Sequence, residues 1–538
     1  MIEANRENEV FLMALSNRIN QIRTDVHLSQ EQFADILGVS RQSVQKWESG
    51  TATPELEKLI KISKLFDITL DALVLDSNGR TVEELNRSKV LKPRYECLPS
   101  YESYACNLAT EYQQSAEEGL DIAAYGDVFA AVGRLPQGEI KERLSDVLFD
   151  VVLNAKTVEN YPYVEPSTLA EIQSLRKGEI GSRPVDRNAL PDKIHGAWMG
   201  RICGCLLGKT VEGIRTDELI PFLREAGNYP MHRYILHSDL NEEILNRYKF
   251  RFACRCYADQ VDGMPADDDT NYTVMAQHII AQYGRGFAPG DVAHSWVQLQ
   301  RKDVYSTAER VAYCNFIKGF VPPDSAQYKN PYREWIGAQI RGDYFGYINP
   351  GDPEQAADMA FRDASISHVK NGIYGEMFVA AMLAAAAAAD RIPEIIRSGL
   401  AQIPHTSRLH EAVTEILNQF ETGVPQSECF AHIHRRYNEY TSHGWCHTIS
   451  NAMIVAAALL YGGGDYGKSV CMAVETGFDT DCNGATVGSI LGMANGLRSI
   501  GTVWTNPIRD TLHTTIFGKE TVKISECVRQ TLRHIDEK

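Results

Sequence analysis

The length, charge and cysteine usage of the chain already exclude several classes of protein. It has 538 residues, enough for several domains, and its formal net charge of −16 at pH 7 argues against polyanion binding over the whole surface. Its 12 cysteines form no C-x-x-C pair, and it has neither a signal-peptide pattern nor an apolar run of membrane-spanning length, so we expect a cytoplasmic protein without zinc-finger spacing or membrane contact.

Hydrophobic periodicity predicts an all-α fold. Apolar residues recur three and four apart along most of the chain, and few alternating runs indicate a sheet. Changes in composition suggest three zones: residues 1–76, a polar helical stretch over 77–190, and a region rich in Gly, Ala and Asp over 191–538. The middle zone contains no cluster of catalytic residue types. It is either an independent bundle or a flanking layer of the C-terminal domain, and we favour the flanking layer.

The first zone carries a helix-turn-helix pattern in the segment LSQEQFADILGVSRQSVQKWESG. Ser29 and Ser40 are suitable N-caps for two short helices, and Gly38 marks the turn between them. If the second helix enters a major groove, polar side chains between its core positions can contact base edges or phosphates. These side chains belong to Arg41, Gln42, Ser43, Gln45 and Lys46.

Over about residues 12–75, this segment resembles the Cro/C1-type (XRE-like) helix-turn-helix family. The resemblance implies a five-helix bundle that binds double-stranded DNA as a homodimer, with Gln30 near a phosphate and residues 40–46, beginning at Ser40, facing the groove. Residues 1–76 nevertheless contain 8 Lys/Arg against 12 Asp/Glu, a net charge of −4 where a basic surface is usual. A bundle used only for protein contact is therefore the alternative.

Two aspartate clusters stand out in the third zone. The segment ADDDTNYTVM places Asp267, Asp268 and Asp269 directly before an amphipathic helix, although a single aspartate suffices as a cap. The segment GFDTDCNGATVGSILG places Asp479 and Asp481 before a second, glycine-rich helix. Crowded carboxylates repel one another unless a cation or solvent offsets their charge, and hard divalent ions prefer such oxygen ligands. The two clusters therefore predict a divalent metal site.

Together with HGAWMGRICGCLLGKTVEG, these segments resemble, in order and spacing, the three signature segments of the ADP-ribosylglycohydrolase family. The likeness spans about residues 190–510. It implies an all-α domain around two Mg²⁺ or Mn²⁺ ions that hydrolyses the glycosidic bond between ADP-ribose and a protein side chain. The implied metal ligands are Asp268, Asp269, Asp479 and Asp481, with Asp267 at a position where many members have threonine or serine.

The chain also departs from the family pattern. Cys205 replaces an aspartate of the first segment, and Cys482 stands where a threonine or serine often ligates. These changes suggest a divergent subgroup. Glu212 matches a glutamate that lies near the metals in the family, and Glu212, Asp269 and Asp481 are all candidates for the proton acceptor.

Three further residues, His368, Tyr374 and His447, are candidates for substrate contacts, although each is more often a hydrogen-bonded core residue. We expect a metal-dependent hydrolase, fused to a DNA-binding module, that cleaves an N- or O-glycosidic bond of ADP-ribose or a related ribosyl substrate. One alternative is a transcriptional regulator that senses ADP-ribose or a related nucleotide. Another is a hydrolase of nucleosides or other N-ribosides.

Overall fold

The computed structural model of the chain describes residues 15–74, 93–178, 181–248, 255–389 and 391–537. Helices dominate these ranges, and the only sheet within them has two short strands, which confirms the all-α prediction. Contacts divide the chain into two compact units: Met1–Tyr161 with Lys329–Pro331, and Pro162–Tyr328 with Tyr332–Lys538.

The first unit contains the expected five-helix bundle. Its helices are α1 (residues 15–25 of the described range), α2 (Gln30–Leu37), α3 (Arg41–Glu48), α4 (Leu56–Leu65) and α5 (Leu70–Val74).

Local capping explains the turn between α2 and α3. The Ser29 hydroxyl accepts a hydrogen bond from the Gln32 amide at 3.1 Å, and the Gln32 side chain accepts one from the Ser29 amide at 2.9 Å. Gly38 ends α2 with φ of 65°, a left-handed conformation that favours glycine. The Ser40 hydroxyl then accepts the Ser43 amide at 3.1 Å and begins α3, so both serines are N-caps as predicted.

The middle zone supplies three more helices to the first unit: α6 (Leu108–Glu117), α7 (Gly126–Gly133) and α8 (Glu139–Asn154). Helix α2 packs on α7, and α4 contacts α8. This differs from the placement we favoured, in which residues 77–190 flank the C-terminal domain. Buried apolar side chains of α7, such as Phe129 and Val132, lie on a helix that contacts α2, and only the part of the zone from Pro162 onward belongs to the second unit.

The second unit is a larger helical assembly. Its helices are α9 (Leu169–Ser174), α10 (Leu190–Lys209), α11 (Thr216–Glu225), α12 (Glu242–Tyr248), α13 (Asp268–Tyr283), α14 (Pro289–Leu299), α15 (Thr307–Ile317), α16 (Asp324–Gln327), α17 (Asp343–Tyr347), α18 (Pro353–Ala364), α19 (Lys370–Ala386), α20 (Ile392–Leu400), α21 (Arg408–Glu421), α22 (Gln426–Arg436), α23 (Ser442–Cys446), α24 (Thr448–Gly462), α25 (Tyr466–Val474), α26 (Thr480–Asn495), α27 (Thr502–Thr505) and α28 (Ile524–Asp536).

Helices α10 and α26 approach each other closely through facing glycines. A Cβ atom on Gly204 would lie 2.0 Å from the Gly484 carbonyl oxygen, and one on Gly200 would lie 2.2 Å from that of Gly488. A Cβ on Gly208, at the end of α10, would lie 2.2 Å from the carbonyl oxygen of Thr480. Only residues without a side chain permit this approach, which brings the end of α10 to the start of α26.

A short sheet holds the segment that leads into the first aspartate cluster. Strands β1 (Thr511–His513) and β2 (Thr521–Lys523) are antiparallel, with Leu512 opposite Val522. The Met264 amide donates to the Thr511 carbonyl, and the His513 amide donates to the Met264 carbonyl, both at 2.9 Å. The sheet therefore fixes the backbone three residues before Asp267.

Among the residues that the structure describes, no helix is both long and apolar enough to cross a membrane.

Candidate functional site

The aspartate triplet begins α13. Asp267 is the N-cap, and its Oδ1 accepts a hydrogen bond from the Asp269 amide at 2.9 Å. Asp268 and Asp269 form the first turn of the helix, where its dipole favours negative charge. Asp267 and Asp269 are buried, and Asp268 is half-buried.

The second aspartate cluster lies beside the first. Carboxylate oxygens of Asp267, Asp268, Asp269 and Asp481, one from each residue, lie within 4.8 Å of one another. Asp479 is the N-cap residue of α26 but makes no side-chain capping bond, and it is not a member of this four-residue group. The starts of two helices that are about 210 residues apart in sequence thus meet, as expected for a cation site.

Two buried oxygens in this group have no hydrogen-bond partner among the described residues: Asp269 Oδ2 and Asp481 Oδ1. Burial and then repulsion from other carboxylates raise the pKa of both Asp268 and Asp481 well above the ordinary value. An unpartnered buried carboxylate is costly unless a cation compensates it. The donor set of hard, convergent oxygens therefore fits a divalent cation.

Arg201, on α10, fixes one of these carboxylates. Its guanidinium donates to the Asp269 backbone carbonyl at 3.0 and 2.8 Å, and Nη2 also lies 2.8 Å from Asp269 Oδ1. Nη1 lies 2.8 Å from Asp343 Oδ2, and all three side chains are fully buried. Because Arg201 engages Oδ1 of Asp269, Oδ2, which has no hydrogen-bond partner among the described residues, is the oxygen that is available to a cation.

Lys209, the last residue of α10, pairs with Asp267. Its Nζ lies 2.6 Å from Asp267 Oδ2, so both oxygens of Asp267 have protein partners. Burial opposes ionisation of Asp267, but the Lys209 ammonium outweighs it and holds the pKa of that carboxyl below its usual value. The sequence reasoning missed both Lys209 and Arg201, although both lie in the first signature segment.

Two thiols border the carboxylates. Cys205 Sγ lies within 4.8 Å of carboxylate oxygens of Asp267 and Asp269, and Cys482 Sγ lies within 4.8 Å of those of Asp269 and Asp481. Burial and then the adjacent carboxylates raise the pKa of both thiols well above the ordinary value. Neutral thiols are poor ligands for hard cations, so they add little to the oxygen donor set.

Glu212 lies in the turn after α10 and is exposed to solvent. Partial desolvation, followed by repulsion from Asp479 and Asp267, raises the pKa of Glu212 to about 7. Among the three candidates for the proton acceptor, Glu212 therefore combines solvent access with a pKa close to neutrality.

The three predicted substrate contacts are all buried and engaged within the protein. His368 Nδ1 lies 2.8 Å from the Ser367 hydroxyl, and the Tyr374 hydroxyl donates to the Pro166 carbonyl. His447 Nδ1 accepts the Ile449 amide at 3.1 Å and caps α24. These bonds give each residue a structural role, and substrate contact by them stays a prediction.

A second buried charge cluster lies behind α13. Arg341 is 2.9 Å from Glu309 Oε1 and 2.5 Å from Asp363 Oδ1, and its guanidinium lies over the Tyr272 ring at 5.6 Å. Burial and then Asp363 raise the pKa of nearby Glu376 well above its usual value. No motif in the sequence identified this cluster, because its members come from separate helices.

On the helix-turn-helix, four of the predicted DNA contacts are exposed on α3 and one is half-buried. Ser40 is exposed, and its hydroxyl caps α3. Gln30 is half-buried and donates to Glu48 Oε2 at 2.8 Å, while Glu48 also pairs with Arg23 at 2.5 Å. This network ties α1, α2 and α3 together. The exposed residues are Arg41, Gln42, Gln45 and Lys46, and the half-buried one is Ser43.

Two family models match separate parts of the chain. The sequence model of the ADP-ribosylglycohydrolase family matches residues 186–532, and that of a helix-turn-helix family matches residues 19–73. The HTH-type transcriptional activator BcrR of Enterococcus faecalis is 32% identical over 148 residues, covering 24% of this chain and 71% of that protein. The cryptic phage CTXphi transcriptional repressor RstR of Vibrio cholerae is 33% identical over 75 residues, covering 14% of this chain and 67% of that protein.

One solved structure, described as an ADP-ribosylglycohydrolase-related protein complex, is 17% identical and superposes with a TM-score of 0.42, covering 65% of this chain and 99% of that one. The family match covers well over half of the sequence. The chain therefore belongs to the ADP-ribosylglycohydrolase family, with a helix-turn-helix domain at its N-terminal end.

Proposed function

We propose that the second unit is a divalent-cation-dependent hydrolase that cleaves an N- or O-glycosidic bond of ADP-ribose or a related ribosyl substrate. The observation that carries this proposal is the pair of buried, unpartnered carboxylate oxygens, Asp269 Oδ2 and Asp481 Oδ1, within a four-aspartate group. Retained ligand oxygens favour catalysis over a domain that has lost its activity. Family membership supports the reaction class.

The chain's own residues divide the work of such a reaction. Asp268, Asp269 and Asp481 would hold Mg²⁺ or Mn²⁺, and the bound cation supplies positive charge beside the ribose hydroxyls. Glu212, whose pKa is raised to about 7, would accept the proton of the attacking water as positive charge develops at the anomeric carbon. A second ion would need Asp267 as a ligand, and the Lys209 pair already engages that side chain.

The experiment for this function is a substrate panel with the full chain in Mg²⁺ or Mn²⁺. It compares mono-ADP-ribosylated protein, O-linked ADP-ribose derivatives and simple nucleosides. We expect turnover of at least one ADP-ribosyl substrate, abolished in Asp481→Asn and retained in Asp324→Asn, which changes an exposed aspartate outside the four-aspartate group. Turnover of nucleosides alone would replace the substrate class, and no turnover of any substrate would refute the hydrolase.

We also propose that the first unit binds double-stranded DNA as a homodimer. Helix α3 is capped by Ser40, and most of its polar side chains are exposed, as entry into a major groove requires. This favours a second candidate function, a transcriptional regulator in which the family domain senses ADP-ribose or a related nucleotide. Selection of a DNA sequence from a random pool by the full chain tests DNA binding. If no sequence is enriched even at low salt, the bundle serves protein contact instead.

A further inference from the structure

The Lys209–Asp267 ion pair places a protein cation inside the aspartate cluster. Lys209 Nζ is 2.6 Å from Asp267 Oδ2, and the side chain of Asp267 is 2% exposed. We propose that the Lys209 ammonium occupies one of the two cation positions that the family resemblance implies, so that this chain binds a single divalent cation. The inference rests on the proposed metal-dependent function and specifies its site.

The first argument is the state of the Asp267 carboxylate. Its Oδ1 accepts the Asp269 amide as the cap of α13, and its Oδ2 accepts the Lys209 ammonium. A divalent cation on Asp267 would have to displace the ammonium or lie next to it, where the like charges repel in a site largely removed from water. Asp267 therefore neutralises Lys209 and caps a helix.

The second argument is the distribution of the remaining ligands. Asp268, Asp269 and Asp481 supply oxygens within 4.8 Å of one another, and two of these residues have unpartnered buried oxygens. That set suits one hard cation, whose coordination water can complete. Cys205 Sγ lies within 4.8 Å of carboxylate oxygens of Asp267 and Asp269, and Cys482 Sγ lies within 4.8 Å of those of Asp269 and Asp481, but thiols bind Mg²⁺ poorly. The carboxylate of Asp479, the remaining implied ligand, is outside the four-aspartate group.

The third argument is that the fold builds this position. Gly208 presses the end of α10 against the start of α26, since a Cβ on Gly208 would meet the Thr480 carbonyl oxygen at 2.2 Å. Lys209 follows directly and is 22% exposed, so its ammonium reaches the cluster from a fixed backbone. The packing of α10 against α26 therefore sets the position of the Lys209 ammonium.

The test counts cations in the full chain after removal of metal and reloading with Mn²⁺. Equilibrium dialysis with elemental analysis should give one Mn²⁺ per chain, and electron paramagnetic resonance should show an isolated Mn²⁺ without spin coupling. Lys209→Met frees Asp267 and should raise the number to two, with a spin-coupled spectrum. Lys209→Arg keeps the charge and should remain at one.

Asp267→Asn gives a second readout that does not depend on the lysine variants. It should still bind one Mn²⁺, whereas Asp481→Asn should weaken Mn²⁺ binding at least tenfold. Two ions in the wild type, or loss of the ion in Asp267→Asn, would overturn the inference and leave the hydrolase proposal standing. No ion in the folded wild type would instead refute the metal-dependent function itself.

Discussion

At the scale of single residues, the two oxygens of Asp269 have different tasks. Arg201 holds Oδ1 at 2.8 Å, and Oδ2 has no partner among the described residues. In metalloproteins, substitution of a residue that orients a metal ligand commonly lowers metal affinity by about 10- to 100-fold. We therefore expect Arg201 to act as a positioning residue for the proposed cation site, although it contacts Asp269 Oδ1 and not the unpartnered Oδ2.

We expect Arg201→Lys to raise the dissociation constant for Mn²⁺ about tenfold, because lysine keeps the buried charge but loses the planar fork. Isothermal titration of the folded variant measures this change. Arg247→Lys is the matched control, since Arg247 pairs with Glu225 at a solvent-exposed site. An unchanged dissociation constant in folded Arg201→Lys would mean that Asp269 needs no such support.

Glu212 gives a prediction about pH. Its folded pKa is raised from 4.5 to about 7, so the folded state binds more protons than the unfolded state between these values. The stabilising contribution is complete below pH 4.5 and is lost as pH rises through about 7. We expect Glu212→Gln to gain thermal stability relative to metal-free wild type as pH rises from about 5 to 8.

Differential scanning fluorimetry of both proteins across this pH range measures the difference in melting temperature. Because the Glu212 carboxylate also raises the pKa of Asp268 and Asp481, the difference reports the titration of Glu212 together with its effect on these neighbours. A constant difference over the whole range would contradict the raised pKa. Added Mg²⁺ should reduce the effect, because a cation stabilises the ionised carboxylate.

At the scale of elements, the sequence predicted both helix starts and a shared site for the two aspartate clusters, but it did not predict the cationic side chains that pair with these aspartates. The caps Asp267 and Asp479 follow from local chemistry, because a short acidic side chain before an amphipathic run begins a helix. Arg201 and Lys209 act on Asp269 and Asp267, 68 and 58 residues away. Such pairs depend on tertiary packing, which a single sequence does not reveal. The four-residue glycine spacing of α10 was the signal that could have indicated a close helix partner.

The α10–α26 contact predicts the effect of one added methyl group. We expect Gly204→Ala to destabilise the second unit by about 1–3 kcal/mol or more, because its Cβ would lie 2.0 Å from the Gly484 carbonyl oxygen. Chemical denaturation measures the loss. Gly290→Ala, in the first turn of α14 with no atom within 4 Å of the new Cβ, should be neutral or stabilising. Equal stability of the two variants would refute the tight contact.

Helix α3 makes a separate prediction for DNA. We expect Gln45→Ala to weaken the free energy of binding to the selected site by about 1–3 kcal/mol and to reduce the sequence preference at one base position, since the glutamine amide can hydrogen-bond to a base edge. Lys46→Ala should weaken binding to all DNA sequences alike and reduce the magnitude of the slope of log K against log[salt] by about one. Lys64→Ala, exposed on α4, is the control. Fluorescence anisotropy across a salt series separates these effects, and equal losses in all three variants would exclude α3 as the reading element.

At the scale of the whole molecule, hydrophobic periodicity predicted the all-α class, and the quoted motifs in their order predicted the two families. The sequence did not predict correctly which domain the middle zone packs against. Its helices α6 to α8 have ordinary amphipathic patterns. Such a pattern predicts that one face of the helix is buried, but it does not identify the element on which that face packs. The contacts of α7 with α2 and of α8 with α4 place these helices in the same unit as the helix-turn-helix, whereas the part of the zone from Pro162 onward belongs to the second unit. The unit that contains the helix-turn-helix therefore includes more than the residues 19–73 matched by the family model.

The proposed DNA binding of the first unit and the proposed ligand sensing of the second unit are thermodynamically linked if both occur in one chain. Binding of ADP-ribose to one site and of operator DNA to the other must then alter each other's affinity by the same factor, about 5- to 150-fold for typical couplings. We expect this reciprocity in Glu212→Gln, which should bind the ligand without turning it over. Titrations of DNA with and without ADP-ribose, and of ADP-ribose with and without DNA, measure both factors. If both factors equal one while each ligand binds, the DNA unit localises the hydrolase without regulation by its ligand.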